Sequence, residues 1–216
     1  MVKHMALIAD GNRRWAAKNE LPWETGYLQG LSTIERCCDW AISRGVEYLT
    51  IYCFSTENWG RPENEVNQLM DFARWYFVEK LDWYVSSDIH VRFAGRRDRV
   101  ALDLIDKLEK AEKATSDCKS LKLTICVDYG GRDEIVRAVN AGARTEQEIS
   151  EYLDVKAPDP DMIVRTGGEM RLSNFLLWQS AYAELFFTPL FFPDIDIDAL
   201  DAFINEYNGR KRNFGH

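Results

Sequence analysis

Histidine is nearly absent from this chain of 216 residues: His4, His90 and His216 are the whole supply, too few and too scattered to build an imidazole metal centre. Cysteine is sparse and lacks pattern. Cys37, Cys38, Cys53, Cys118 and Cys126 are odd in number and show no Cys-x-x-Cys spacing, which argues against a disulfide scaffold or a zinc ribbon. Most lie in apolar runs such as 124–127 and read as reduced core thiols of a cytoplasmic protein. No repeat, linker or low-complexity tract is present, and 46% of the residues are hydrophobic, so disorder and a collagen-like chain are excluded. No apolar run approaches the roughly 18 residues of a membrane span. The opening MVKHMALIADGN holds a five-residue apolar stretch, too short for a signal peptide, and no stable membrane anchor is expected. Positive charge is in deficit, 27 Lys+Arg against 35 Asp+Glu, for a net charge of −8. Such a chain is not expected to coat nucleic acid, so any phosphate site must be a local arginine cluster working against the global field.

What is present is an alternation of short apolar strands and longer helical patterns. Strands are expected at 5–9, 48–54, 89–94, 121–127, 161–164 and 184–187, and helices at 28–44, 63–85, 100–115, 132–141, 147–153, 174–182 and 197–207. Several strands are unbroken apolar runs, as in sheets covered on both faces. The fold class implied is α/β: an open, mainly parallel six-stranded sheet flanked by helices, in a single domain over residues 1–216. Ligands of such folds gather beyond the carboxyl ends of the strands.

Those strand ends carry the chemistry. They are followed by Asp-Gly-Asn-Arg-Arg-Trp (10–15), Ser-Thr-Glu-Asn-Trp-Gly-Arg-Pro (55–62), Gly-Arg-Arg (95–97), Asp-Tyr-Gly-Gly-Arg (128–132) and the run 165–174, which opens Arg-Thr-Gly-Gly-Glu. Any one such loop can be an ordinary polar turn. Five with at least one arginine each point to phosphate, because guanidinium forks and close glycine backbone suit phosphate oxygens. There is no GxxxxGK[ST] and no GxGxxG after the first strand, which favours an organic diphosphate over a Walker-type nucleotide.

Asp10 would repel a diphosphate unless a cation lies between them. Mg²⁺ resolves the conflict, since it uses one or two carboxylates plus substrate phosphates; the alternative is Asp10 as a helix N-cap. Glu184 is a second candidate ligand, or an exposed or arginine-paired carboxylate. There is no Ser-His-Asp or Cys-His set for covalent hydrolysis. Along 63–85, Val66, Leu69, Met70, Ala73, Phe77, Leu81 and Tyr84 share a helical stripe widened by Trp75, Tyr76 and Trp83, which is either core packing or an aromatic wall that shortens a substrate cavity.

HMALIADGNRRWA (4–16) resembles the signature HxxxIMDGNGRWA of the cis-prenyltransferases, the undecaprenyl diphosphate synthase family. IYCFSTENWGRP (51–62), DYGGR (128–132) and IVRTGGEMRLSNFLLWQSAYAEL (163–185) resemble further signatures of the same family, in the same order. The resemblance implies a homodimer that condenses isoprenyl diphosphates with Mg²⁺ as cofactor. Asp10 then matches the catalytic, metal-binding aspartate, and Gly11, Asn12, Arg13 and Arg14 fall in the phosphate loop, followed by Trp15. Ser55, Asn58, Trp59 and Arg61 match the second motif, whose Asn is associated with proton removal. Arg165, Arg171 and Ser173 match the site of the second, homoallylic diphosphate, and Glu184 matches the other metal carboxylate, often supplied across the dimer.

The departures from the family pattern lie mostly around the first substrate. Arg13 replaces a Gly, Ala9 a Met, and Met170 a frequent His. Trp23 stands where an Arg is usual and Tyr27 where a His is usual, both at the allylic diphosphate, and the tail reads Arg-Asn-Phe-Gly at 212–215. With the aromatic stretch, this rebuilt loop suggests small substrates and a likeness to the lavandulyl and cyclolavandulyl diphosphate synthase branch. The expected reaction is head-to-middle coupling of two dimethylallyl diphosphates to a branched or cyclised ten-carbon diphosphate. Tyr27, Ser55, Asn58 and the released diphosphate are candidate bases. The alternatives are regular head-to-tail synthesis with isopentenyl diphosphate, and a noncatalytic partner subunit, which the presence of Asp10, Asn12, Arg14 and Asn58 disfavours.

Overall fold

Six strands form one sheet, and every pairing in it is parallel. In a computed structural model that describes residues 2–211, β1 (His4–Ile8), β2 (Tyr48–Ser55), β3 (Ile89–Ala94), β4 (Leu121–Tyr129), β5 (Met162–Arg165) and β6 (Glu184–Phe187) are ordered β3-β4-β2-β1-β5-β6. The unbroken apolar runs have the expected cause: β1 and β5 are buried along their whole length. Alternate residues divide between two layers. Met5, Leu7, Leu49, Ile51, Met162 and Val164 join the larger core with α2 (Trp23–Arg44), α3 (Glu63–Glu79), α4 (Leu81–Ser86), α5 (Leu102–Ala114) and α8 (Ile197–Gly209). Ala6, Ile8, Tyr52, Cys126 and Ile163 pack on the other face with Phe175 and Leu176. A satellite cluster joins α6 (Gly131–Asn140) to α7 (Glu146–Tyr152).

The order of the strands places the site. The chain leaves β1 toward β2 and leaves β5 toward β6, in opposite directions along the sheet. The loops after β1 and β5 therefore diverge and leave a crevice between them. A short helix, α1 (Asn12–Lys18), follows β1 and packs on α2. The approach is so close that a Cβ at Gly26 would stand 2.1 Å from the Asn12 carbonyl oxygen, and one at Gly30 2.5 Å from its Oδ1. These two glycines let α2 press the phosphate-loop candidates against the sheet.

Three helical expectations change. The segment 174–182 is not helical, because Ser173, Asn174 and Leu176 take left-handed φ values of 48°, 66° and 44°. The stretch 63–85 breaks at Lys80 into α3 and α4. α2 starts at Trp23, five residues ahead of the expected 28. The tail motif at 212–215 and His216 lie outside the described residues. No helix among the described residues is long and apolar enough to cross a membrane.

Candidate active site at the strand ends

A cavity of about 1010 Å³ opens at the carboxyl ends of β1, β2 and β5. It is lined by Asp10, Gly11, Asn12, Arg13, Arg14, Tyr27, Ser55, Asn58, Arg61, Arg165 and Ser173, eleven of the residues singled out in the sequence. Two ionic chains organise its rim.

The first chain runs along the β1–β5 crevice. Asp10 Oδ2 accepts from Arg165 Nη2 at 2.9 Å, and Asp10 Oδ1 lies 3.1 Å from Arg14 Nη2. Arg14 Nη1 is 3.8 Å from Glu169 Oε1, whose other oxygen accepts from Arg171 Nη1 at 2.5 Å. Arg165 is held from behind, its Nη1 donating at 2.6 Å to both Ser173 Oγ and the Arg171 carbonyl. Arg165 is only 5% exposed, and its Nε is a buried donor with no partner. An unpaired buried N–H costs about 1–3 kcal/mol, so the guanidinium is held against its own stability beside the cavity. Arg171 reaches the rim through Glu169 and Arg165 without lining the cavity wall.

The second chain crosses from α1 to α3. Glu65, itself buried, accepts from Arg13 Nη1 at 3.0 Å and from Arg61 Nη1 at 2.9 Å. Arg61 also donates to the Tyr27 hydroxyl at 2.8 Å. Two of the departures from the family pattern, Arg13 and Tyr27, thus belong to one network. Ser55 and Asn58 form a reciprocal cap on the 3-10 turn Thr56–Gly60: Asn58 Oδ1 accepts from the Ser55 N–H at 3.0 Å, and the Ser55 side chain accepts from the Asn58 N–H. Asn58 Oδ1 thereby faces the backbone, and its NH₂ is a donor.

Other candidates fall outside. Trp15 donates to Asp194 Oδ1 at 2.6 Å, away from the cavity wall. Trp59 packs edge-on to Phe54 and behind it, also off the wall. Glu184 starts β6 in register with Met162, which pairs with Met5, whereas Asp10 lies beyond the far end of β1. Five residues of strand rise, about 16 Å at ~3.3 Å each, separate the two along the strand axis. Within one chain Glu184 is therefore remote from Asp10, and it pairs with Arg210 Nη1 at 2.7 Å.

The apolar wall is also not where the aromatic stripe pointed. Tyr76 and Phe77 are buried in the core, with Phe77 edge-on to Phe93 at 4.7 Å, and Trp75 is half exposed. Neither they nor Trp83 lines the cavity. The wall comes from α2, where Tyr27, Gly30, Leu31 and Ile34 repeat at i, i+3, i+4 and i+7. That periodicity was present in the sequence as the signal for them. Cys53, Phe54 and Phe192 add to the apolar lining, with Ile8, Ala9, Ala17 and Tyr52. All five cysteines are free, but Cys118 is only half-buried, and Cys53 is exposed and opens onto the cavity, so neither is a core residue.

The arginines after β3 do not join the site. Arg96 pairs with Asp98 and Asp133, Arg97 with Glu109 and Glu112, and Arg99 with Asp128. Arg132, after β4, is exposed and off the cavity wall.

A divalent cation can be tested against these donors. Among the described residues no group of three or more His, Cys, Asp or Glu side chains converges as a metal cage. Asp10 is a hard oxygen donor on the cavity wall, and nearby Asn12 Oδ1 is a buried acceptor with no partner. One carboxylate among arginines suits Mg²⁺ that arrives with substrate phosphates.

An apolar pocket rimmed by guanidiniums, at the switch point of a parallel sheet, defines an enzyme for substrates with an anionic head and a hydrocarbon body. Residues 8–215 match the family model described as putative undecaprenyl diphosphate synthase. The chain is 42% identical to the isoprenyl transferase of Aquifex pyrophilus, over 99% of this chain and 95% of that one, and 44% identical to that of Chromobacterium violaceum, over 99% and 88%. Among solved structures it is similar to lavandulyl diphosphate synthase from Lavandula x intermedia in complex with dimethylallyl diphosphate (TM-score 0.95, 31% identity, 100% of this chain and 98% of that one). It is likewise similar to a probable undecaprenyl diphosphate synthase from Campylobacter jejuni (TM-score 0.86, 30% identity, 100% and 99%). The chain belongs to the cis-prenyltransferase family and is an isoprenyl diphosphate synthase.

Proposed function

We propose that this enzyme couples two dimethylallyl diphosphates head to middle, giving a branched or cyclised ten-carbon diphosphate. The observation that carries the two-headed reading is the pair of ionic chains on one rim, each ending beside the same cavity. Gly11 to Arg14, with Arg61, hold the allylic diphosphate, and Arg165, Arg171 and Ser173 hold the second. The irregular product is supported by the rebuilt allylic side, where Arg13, Tyr27, Arg61 and Glu65 form one network, and by the likeness to a lavandulyl diphosphate synthase.

In this mechanism the guanidiniums take up charge on the departing diphosphate while its carbon–oxygen bond breaks, and C2 of the second unit attacks the resulting allylic centre. Single donors in such arrangements contribute roughly 10²–10³-fold in rate. Mg²⁺, held by Asp10 when bound, would supply further charge neutralisation to the leaving diphosphate. Loss of a methyl proton then completes the branched product. Among the candidate bases, Asn58 Oδ1 faces the Ser55 N–H, the Ser55 hydroxyl faces the Asn58 N–H, and the Tyr27 hydroxyl accepts from Arg61. The released diphosphate is the acceptor this arrangement leaves open. Since Glu184 is remote from Asp10 within one chain, a metal role for it would need a partner subunit; Glu184 lies on the edge strand β6, beside Leu185, more than a third exposed.

A second reading, regular head-to-tail synthesis with isopentenyl diphosphate, is favoured by the cavity. No α3 ring shortens it, and about 1010 Å³ is at the upper end of the roughly 300–1,000 Å³ usual for ligand pockets. The purified chain is given dimethylallyl diphosphate and Mg²⁺, with and without isopentenyl diphosphate, and the dephosphorylated products are weighed. A ten-carbon product from dimethylallyl diphosphate alone is expected. Turnover only when isopentenyl diphosphate is added establishes the regular reaction, and no turnover from the chain alone points to a partner subunit.

A further inference from the structure

Glu169 has no part in the chemistry above, yet it sits between two arginines of the rim. We propose that it sets the affinity of the second diphosphate site by occupying, in the free enzyme, the Arg171 guanidinium that the diphosphate takes. The inference rests on the assignment of that site to Arg165, Arg171 and Ser173.

The turn that carries Glu169 is fixed. Gly167 and Gly168 both take left-handed φ values, 84° and 80°, and their N–H groups donate to the Leu190 and Thr188 carbonyls at 2.7 and 2.8 Å. A Cβ on Gly167 would stand 2.6 Å from Arg14 Nη2, so the turn passes directly under that guanidinium. Glu169 thus reaches Arg14 and Arg171 from an anchored backbone, and its carboxylate is an internal stand-in for an anion.

The other two rim carboxylates differ from it. Glu65 is buried, with both its oxygens committed to Arg13 and Arg61, so it is poorly placed to leave. Asp10 is the candidate metal ligand. The side chains of Glu169 and Arg171 are 37% and 60% exposed, so their contact can open into water at little cost. A diphosphate arriving here must displace a carboxylate and then share the rim with its negative charge. Both effects weaken binding. They also keep the guanidiniums paired when no substrate is present.

Removing the charge and keeping the shape, as in Glu169→Gln, should therefore tighten anion binding. One exposed ionic contact of ordinary strength corresponds to roughly a two- to fivefold gain. The probe is inorganic pyrophosphate, titrated calorimetrically into the metal-free protein in EDTA. Wild type, Glu169→Gln, Glu169→Asp and Arg171→Gln are compared, and thermal unfolding of each confirms the fold. Glu169→Gln is expected to bind several-fold more tightly, Glu169→Asp to stay near wild type, and Arg171→Gln to bind more weakly. The gain should shrink at about 0.5 M salt, where screening shortens the reach of the charge. Equal or weaker binding by Glu169→Gln, with wild type binding normally, overturns the proposal and leaves the site assignment intact. If wild type does not bind pyrophosphate, or Arg171→Gln binds as well as wild type, the second diphosphate site itself is misplaced and the proposal falls with it.

Discussion

Arginines follow both β3 and the β1–β5 crevice, yet the two groups do opposite things. After β3, Arg96, Arg97 and Arg99 meet five carboxylates, those of Asp98, Asp133, Glu109, Glu112 and Asp128. Around the crevice, Arg13, Arg14, Arg61, Arg165 and Arg171 share three, those of Asp10, Glu65 and Glu169. The β3 group is saturated and only holds the fold together. The crevice group is short of negative charge, carries an unpaired buried N–H on Arg165, and faces a cavity. An arginine after a strand thus says little about phosphate. A surplus of arginine over carboxylate beside a cavity says much more, because it is a deficit that a substrate can fill.

The sharpest way to break this contrast is at its two centres. Asp10→Ala removes the acceptor shared by Arg14 and Arg165 and the candidate metal ligand together. Turnover should fall by about 10³-fold or more while circular dichroism stays that of the folded protein; normal turnover would remove the crevice from the chemistry. The mirror experiment is Arg99→Ala. Asp128 is fully buried and accepts from Arg99 Nε at 3.0 Å. Leaving that carboxylate alone should cost about 3–4 kcal/mol in urea unfolding, below the top of the range for broken buried pairs because Arg99 is itself more than a third exposed. The KM values of the remaining folded enzyme should not change. A kinetic effect from Arg99→Ala without loss of stability would dissolve the distinction.

Much of this was legible in the sequence, for a physical reason. Strands buried on both faces must be apolar throughout, so β1 and β5 were visible as unbroken runs, and the other four as shorter apolar stretches. The crevice residues were visible because each follows a strand at a fixed offset. The misses share a cause. Helical periodicity tells which residues share a face, not what the face meets, so the α3 stripe was as good a candidate wall as Tyr27, Gly30, Leu31 and Ile34 on α2. The irregular run at 173–176 has helix-compatible composition, and only tertiary contact selects its left-handed residues. The Asn174 side chain bonds to Glu57 and to the Arg132 N–H, and its carbonyl to the Gly131 N–H. Glu184 could be matched to a motif but not located, because a motif does not state which end of its strand meets the site.

The amino-terminal edge of the sheet sharpens the contrast from the other side, since its buried histidine is neutral. His4 is buried, with Nδ1 2.6 Å from the Pro158 carbonyl and Nε2 2.8 Å from Thr50 Oγ1. Desolvation by burial lowers its pKa from 6.5 to about 4, with the Pro158 carbonyl and Asp161 pulling the other way. Between those two values the unfolded chain binds the extra proton and the folded chain does not. Stability is therefore complete above pH 6.5 and declines as pH falls, by about 3 kcal/mol at pH 4 from this group alone. His4→Gln should flatten that slope in urea titrations at successive pH values. An unchanged slope would mean that His4 is charged in the fold.

The smallest effect tests the wall. Trp75 is 50% exposed on α3, and its neighbours Tyr76 and Phe77 point into the core. If α3 only supports the fold, Trp75→Ala should cost under about 0.5 kcal/mol and leave the product mass unchanged. Leu31→Phe on α2 adds bulk inside the cavity, so it should slow turnover or shorten whatever product wild type makes. The two variants together decide which helix reads the hydrocarbon. A product altered by Trp75→Ala and untouched by Leu31→Phe would return that role to α3, and with it the short aromatic cavity that the sequence first suggested.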